Sequence, residues 1–384
     1  MIYVDNNATT KISPEVLKAM EPFLTDHYGN PSSIHSLGQA ARRAVSEARE
    51  KVALFLEARH DSEIIFSSGG TESNNLAIRG VLKSCPRKSH LVTTRVEHPS
   101  VLNVFKELAS EGYAVTFLEV DSEGRLNTNE LRDVLSPDTA LVSIMAANNE
   151  TGVIFPVEEI AQYVKSCGAL FHVDAVQAVG KIPFSLNSGF IDLLSISGHK
   201  LHAPKGVGAL YVKKGTPLSA LNVGGAQEKD RRGGTENVAS IVGLGAACEM
   251  ADADFETRNK QLAILRNELE KGILESVENT FVNGGGANRV SNTTNITFKG
   301  LDSESVLLAL NEEGISASSG SACATGSVQF SHVLLAMGYS EEHVQGAIRF
   351  SLGRYNQEEE INRILEKMPG IISRLRAIHQ PSGV

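Results

Sequence analysis

The chain has 384 residues, with 36 Lys and Arg against 45 Asp and Glu for a formal net charge of −9, and 41% hydrophobic and 21% charged residues. That balance excludes a disordered or fibrous chain. The length suggests two or three domains at roughly 150 residues each, the acidic balance gives no footprint for nucleic acid or an anionic membrane, and no apolar run reaches the roughly 20 residues of a membrane helix.

The first residues, Met1 to Asn7, carry neither the basic nor the apolar stretch of an export signal. Ala41, Ala44, Val45, Ala48, Val52, Phe55 and Leu56 recur at helical spacing, which predicts an amphipathic helix over 41–56. Short apolar runs follow at 64–66, 91–93, 115–120, 140–145, 170–173 and 193–196. Most are separated by segments of helical composition, such as 71–83, 99–110 and 156–167. Continuous apolar strands with helices between them predict a mostly parallel sheet covered on both faces. Residues 206–212 form a further strand near the end of this unit. Beyond residue 255 the texture changes: a helix at 256–276 with Leu262, Leu265, Leu269 and Ile273 on its buried side, a glycine loop at 284–286, a strand at 295–298, a helix at 303–312, a strand at 346–351 and a last helix at 357–378. This reads as a large α/β unit followed by a smaller α+β one.

Several segments offer chemistry. In Ile64-Ile-Phe-Ser-Ser-Gly-Gly-Thr71 a buried strand runs through a Ser/Gly turn into a helix, whose first-turn N–H groups suit a phosphate; an ordinary turn capped by Thr71 reads the same way. Asp174 stands at the end of an apolar strand, where it holds a cationic ring nitrogen or caps a helix. Lys200 follows the strand 193–196 beside Ser197 and His199, where desolvation would favour its neutral amine. A lone lysine would mean little, but a phosphate turn, a strand-end carboxylate and a strand-end amine in one sheet are what pyridoxal 5′-phosphate (PLP) requires. Cys323 sits among small and hydroxylated residues, Ser316-Ala-Ser-Ser-Gly-Ser-Ala-Cys-Ala-Thr-Gly-Ser327, which suits an exposed, reactive thiol as well as an incidental one. Arg349, on a short strand, could clamp a carboxylate. Cys85, Cys167 and Cys248 read as structural. The four cysteines lie far apart with no CxxC pair, which fits a reducing cytoplasm. No HExxH is present, and no metal site is expected.

Taken in order, these segments resemble the cysteine desulfurases of the NifS/IscS-like group, within the class-V aminotransferase family of fold-type I PLP enzymes. The resemblance is carried by Tyr3-Val-Asp-Asn-Asn-Ala-Thr-Thr10, Tyr28-Gly-Asn-Pro-Ser-Ser33, Ser68-Gly-Gly-Thr-Glu-Ser-Asn-Asn75, Val96-Glu-His-Pro99, Asn148-Asn-Glu-Thr-Gly152, Val173-Asp-Ala-Val-Gln177, Ser197-Gly-His-Lys200, Arg231-Arg-Gly-Gly-Thr-Glu-Asn237, Ser321-Ala-Cys323 and Ile348-Arg-Phe-Ser-Leu-Gly-Arg354. It implies a large PLP-binding domain over 14–255 and a small domain of 1–13 and 256–384 that carries the cysteine loop at about 318–330. Lys200 would bind the cofactor aldehyde and shuttle the substrate α-proton. Gly70, Thr71, Ser197 and His199 would hold the phosphate, with Thr235 reaching across a homodimer interface. Asp174 would pair with the ring nitrogen, Gln177 would donate to the ring hydroxyl, and His98 would stack on the ring as a further acid/base candidate. Asn149 and Arg349 would orient the substrate. Cys323 would take sulfur from L-cysteine as a persulfide, leaving L-alanine, and hand it to an acceptor such as an iron–sulfur scaffold. The sequence departs from the family pattern at Ala226 and Phe330, where glycine and proline are frequent; neither is a proposed catalytic group. Another PLP enzyme of this fold, an aminotransferase or a selenocysteine lyase, would keep Lys200 and Asp174 without needing Cys323.

Overall fold

The computed structural model describes residues 1–85, 87–319 and 330–379. Its strands in chain order are β1 (Ile2–Tyr3), β2 (Ile64–Ser67), β3 (His90–Thr94), β4 (Ala114–Leu118), β5 (Thr139–Met145), β6 (Leu170–Asp174), β7 (Leu193–Ser197), β8 (Gly208–Val212), β9 (Thr280–Val282), β10 (Thr293–Phe298), β11 (Ile315–Ser316) and β12 (Ala347–Ser351). Seven of them form one sheet in the order β2-β8-β7-β6-β5-β3-β4. Every residue of β5, β7 and β8 is buried, which is why these segments read as unbroken apolar runs rather than alternating ones. Strand β4 lies at the edge and begins exposed.

The sheet is parallel except at β8, which runs against both β2 and β7. The ten residues between β7 and β8 hold only a single-turn 3₁₀ segment, too little for a crossover, so the chain turns back. Strand β2, paired on the far side of β8, therefore points the same way as β7. The C-terminal ends of β2, β3, β5, β6 and β7 all meet at one edge of the sheet, where an α/β fold opens its ligand crevice.

The helix predicted over 41–56 spans Ser36–Phe55 and buries Ala41, Ala44, Val45, Ala48 and Val52 as its pattern requires; it starts earlier because the His35 side chain accepts the Gly38 N–H and caps it. Against it packs Val238–Ala253, a helix so uniformly apolar that no stripe betrays it. The apolar side chains gather mainly on the two faces of the large sheet. A separate cluster joins Ile2 and Val4 to Leu262, Leu265, Leu269 and Ile273 of the helix Phe255–Ser276, to Ile296, Phe298, Ile348 and Phe350 of the sheet β12-β10-β9, and to Ile361, Ile364 and Met368 of the final helix. The chain start thus packs with its last third: β1 pairs with β11, and Asp5 bridges to Ser351.

Candidate active site

Where the strand ends meet lies a cavity of about 390 Å³. Each strand contributes what its end carries. From β2 the chain turns at Gly69, whose φ of +149° strains other residues, into the helix Gly70–Ser84. Gly69 is the cap residue and offers no side chain, so Thr71 lies in the first turn rather than capping it. Gly70 and Thr71 line the cavity, and the positive end of the helix is left for an anion. The turn fits only because its neighbour is Gly208: a Cβ there would come within 2.7 Å of Gly69 Cα.

Asp174 ends β6. Its Oδ1 accepts the Val176 N–H at 3.0 Å and its Oδ2 accepts Asn74 Nδ2 at 2.7 Å. Lys200 closes the 3₁₀ turn after β7. Its Nζ donates to the carbonyls of Asn7 and, at 2.8 Å, Ala8. Burial, with the nearby Arg349 charge, lowers its pKa to about 8 against the opposing pull of Asp5 and Asp174. His199 is lowered to about 4, by burial first and then by the charges of Lys200, Lys205 and His98. His98 caps the helix Pro99–Ser110, and burial holds its pKa below the ordinary histidine value.

Arg349 enters from β12. Its Nη2 donates to Asp5 Oδ1 at 2.7 Å and its Nη1 to the Asn149 carbonyl at 3.1 Å. Gln177 donates from Nε2 to the Asn7 carbonyl at 3.0 Å and accepts from Lys181 Nζ at 2.6 Å. His98, Asn149, Asp174, Gln177, Ser197, His199, Lys200 and Arg349 all border the one cavity with Gly70 and Thr71. Thr235 does not: it is exposed and lies outside the cavity of its own chain. Cys323 and most of the loop at about 318–330 lie outside the described residues.

Residues 2–364 match the model of the class-V aminotransferase family. A protein of Trichormus variabilis named cysteine desulfurase 2 is 54% identical over 98% of this chain and 94% of its own. A solved NifS-like protein is 40% identical with a TM-score of 0.92, covering 97% of this chain and 100% of its own. Another, solved as SspA in complex with cysteine, is 38% identical with a TM-score of 0.82, covering 93% and 100%. This chain belongs to the class-V aminotransferase family.

Class-V aminotransferases are PLP-dependent, and the cavity fits that group. Among the described residues, three buried polar atoms around it have no hydrogen-bond partner: Asn74 Oδ1, Asn149 Oδ1 and Arg349 Nε. Such atoms are costly unless a ligand satisfies them. An amine, a carboxylate and an uncapped helix start are the groups that an aldehyde, a ring nitrogen and a phosphate need.

Sequence reasoning missed Asn7, Asn74 and Ser100, which also line the cavity. Asn74 was within reach: it lies four residues after Gly70, on the same helical face. Asn7 is marked only by its place in the segment Tyr3–Thr10 that carries the resemblance. Its carbonyl meets Lys200 and Gln177, while its side chain reaches Asn149, Lys181, Asn292 and Thr293.

Proposed function

We propose that this protein is a PLP-dependent cysteine desulfurase, which converts L-cysteine to L-alanine and passes the sulfur through an enzyme persulfide to an acceptor protein, such as an iron–sulfur scaffold. The observation that carries this reading is the cavity, which gathers Asp174, Lys200, Arg349 and the pair Gly70 and Thr71 from four separate segments. The relatives named cysteine desulfurase and the solved SspA with its cysteine support the substrate.

PLP, when bound, supplies an electron sink that lets the substrate Cα proton leave. The protein does the rest. Lys200 would hold the cofactor through its amine and move the α-proton; a pKa near 8 leaves a useful share of neutral amine near neutral pH. Asp174 would hold the ring nitrogen, Gln177 the ring hydroxyl, and Gly70, Thr71, Ser197 and His199 the phosphate. His98 would stack on the ring. Arg349 takes the substrate carboxylate through its unpartnered Nε edge, with Asn149 beside it. Cys323 attacks the substrate sulfur: the S–S bond forms as the C–S bond breaks, and the sulfur stays on the enzyme as a persulfide. Thr235 completes the phosphate site of the partner subunit in a homodimer. The same reading places the protein in the cytoplasm; among the described residues no helix is long and apolar enough to cross a membrane. It also divides the chain into a large domain over 14–255 and a small one of 1–13 and 256–384, which the separate apolar cluster of Ile2, Val4 and the last third supports.

The test is incubation with PLP and L-cysteine. Alanine should appear with one sulfur atom added at Cys323. Cys323→Ala should keep the yellow bound cofactor and lose sulfide release; a variant that still desulfurises at the full rate removes the persulfide step.

A further inference from the structure

Asn74 sits one turn into the helix Gly70–Ser84 and is 1% exposed. Its Nδ2 donates to Asp174 Oδ2 at 2.7 Å and to Ser100 Oγ at 2.8 Å, which commits both amide hydrogens. The Ser100 hydroxyl has one hydrogen of its own, and His98 Nδ1 lies 2.8 Å away. The Ser100 backbone N–H also points at that Nδ1, at 3.2 Å, as the capping contact of the helix Pro99–Ser110. A backbone N–H can only donate, so Nδ1 has to keep its lone pair. In the neutral ring the proton then sits on Nε2. Protonating Nδ1 would set its N–H against the Ser100 backbone N–H and uncap the helix.

We propose that Asn74 and Ser100 are positioning residues that tie the Asp174 carboxylate to His98 and lock His98 as its Nε2–H tautomer, so that His98 serves the site as a hydrogen-bond donor and the α-proton is left to Lys200. This rests on the reading of the cavity as a PLP site. It explains why Asn74 is buried with its Oδ1 unpartnered: the amide is turned to give both hydrogens to Asp174 and Ser100, and the oxygen is left over. The surroundings agree. Burial, Lys200 and His332 disfavour a charged His98, against Asp174 alone. A ring whose Nδ1 lone pair is already engaged by the Ser100 N–H, and which does not readily take a second proton, is a poor shuttle but a steady donor.

The deciding experiment is nitrogen NMR of the PLP-loaded protein with labelled histidine, His98 being assigned by the signal lost in His98→Gln. The expected result is a bare Nδ1 and a protonated Nε2 from about pH 6 to about pH 9. A protonated Nδ1 in that range overturns the proposal while leaving the PLP site intact. In a second arm, Asn74→Ala should retain PLP about tenfold less tightly, the worth of one buried bond to a charged group, and should shift the absorption band of the bound cofactor. Wild-type retention with an unshifted band overturns the proposal; if that variant does not fold, the NMR of the wild-type protein decides. Should the wild-type protein take up no PLP through Lys200, the underlying site reading falls and this inference with it.

Discussion

A lysine that works as an amine near neutral pH has to hold its proton less tightly than a lysine in water. For Lys200 the cause is burial first and the Arg349 charge second. Covalent capture of PLP by the cofactor-free protein should therefore rise with pH around a midpoint near 8, not near the ordinary value of about 10.4. Arg349→Met should move that midpoint upward, and stopped-flow absorbance against pH measures both. A midpoint unchanged by the substitution would remove Arg349 from the account. Glu97, beside His98, is a second perturbed group, and sequence reasoning gave it no role. It is wholly buried; burial, with Asp174 adding, raises its carboxyl to about 8 although Thr94 and the Met145 N–H pull it down. The folded protein thus keeps a proton that the unfolded chain releases above its ordinary value of 4.5. Stability from this group is full below that value and is lost as pH rises toward about 8. Glu97→Gln should flatten the fall of melting temperature across that window; equal slopes for the two proteins refute the assignment. The strand-end positions of Lys200 and Asp174, and the place of Arg349 on a short strand, were legible in the sequence. The partners of Asn74, Ser100 and Glu97 were not, because hydrogen-bond direction depends on side chains brought together from distant segments.

At the scale of elements, the legible parts were those whose burial leaves a period or an unbroken run. Strands β2 to β8 and the helices at 36–55, 70–84, 99–110, 157–167 and 255–276 fall close to where their patterns place them. Two features left no such mark. The helix Val238–Ala253 is apolar nearly all round, so it has no stripe to read. The reversed direction of β8 is invisible because a strand buried on both faces reads the same either way. That reversal matters: it sets Gly208 between Ser67 and Ser197 and under the Gly69 turn. A Cβ on Gly208 would meet both Gly69 Cα and the Ile196 carbonyl at 2.7 Å, and both are backbone. Gly208→Ala should cost about 1–3 kcal/mol of stability by overpacking and weaken PLP binding by moving the turn. Urea unfolding and cofactor titration check the pair. Wild-type values for both would mean that the turn does not need this close approach.

At the scale of the molecule, Thr235 is, among the described residues, the proposed site residue that its own chain does not bring to the cavity. The segment leading to it is held with unusual care. Glu228, Lys229 and Asp230 all take left-handed backbone angles, with φ of 48°, 57° and 62°. Each costs about 1 kcal/mol or more for a residue with a side chain. The strain is offset by Arg49, which grips Glu228 through two bonds of 2.7 and 2.8 Å, while the same carboxylate accepts the Phe66 N–H of β2. A buried carboxylate is thus tied to the strand that leads into the Gly69 turn, and the chain beyond it is sent outward, ending with Thr235 exposed. Such an arrangement suits a residue that serves a neighbouring subunit, and mixed dimers separate that role from a local one. Lys200→Ala and Thr235→Ala dimers should each be defective, the first without covalent cofactor and the second with weakened PLP affinity. In a dimer of one subunit of each, the subunit that keeps Lys200 receives an intact Thr235 from its partner, so one complete site should return. Recovery of about half the wild-type covalent PLP, with wild-type affinity, is the expected reading. If the mixed dimer binds no better than the Thr235→Ala dimer, Thr235 acts within its own chain and the site does not depend on a second subunit.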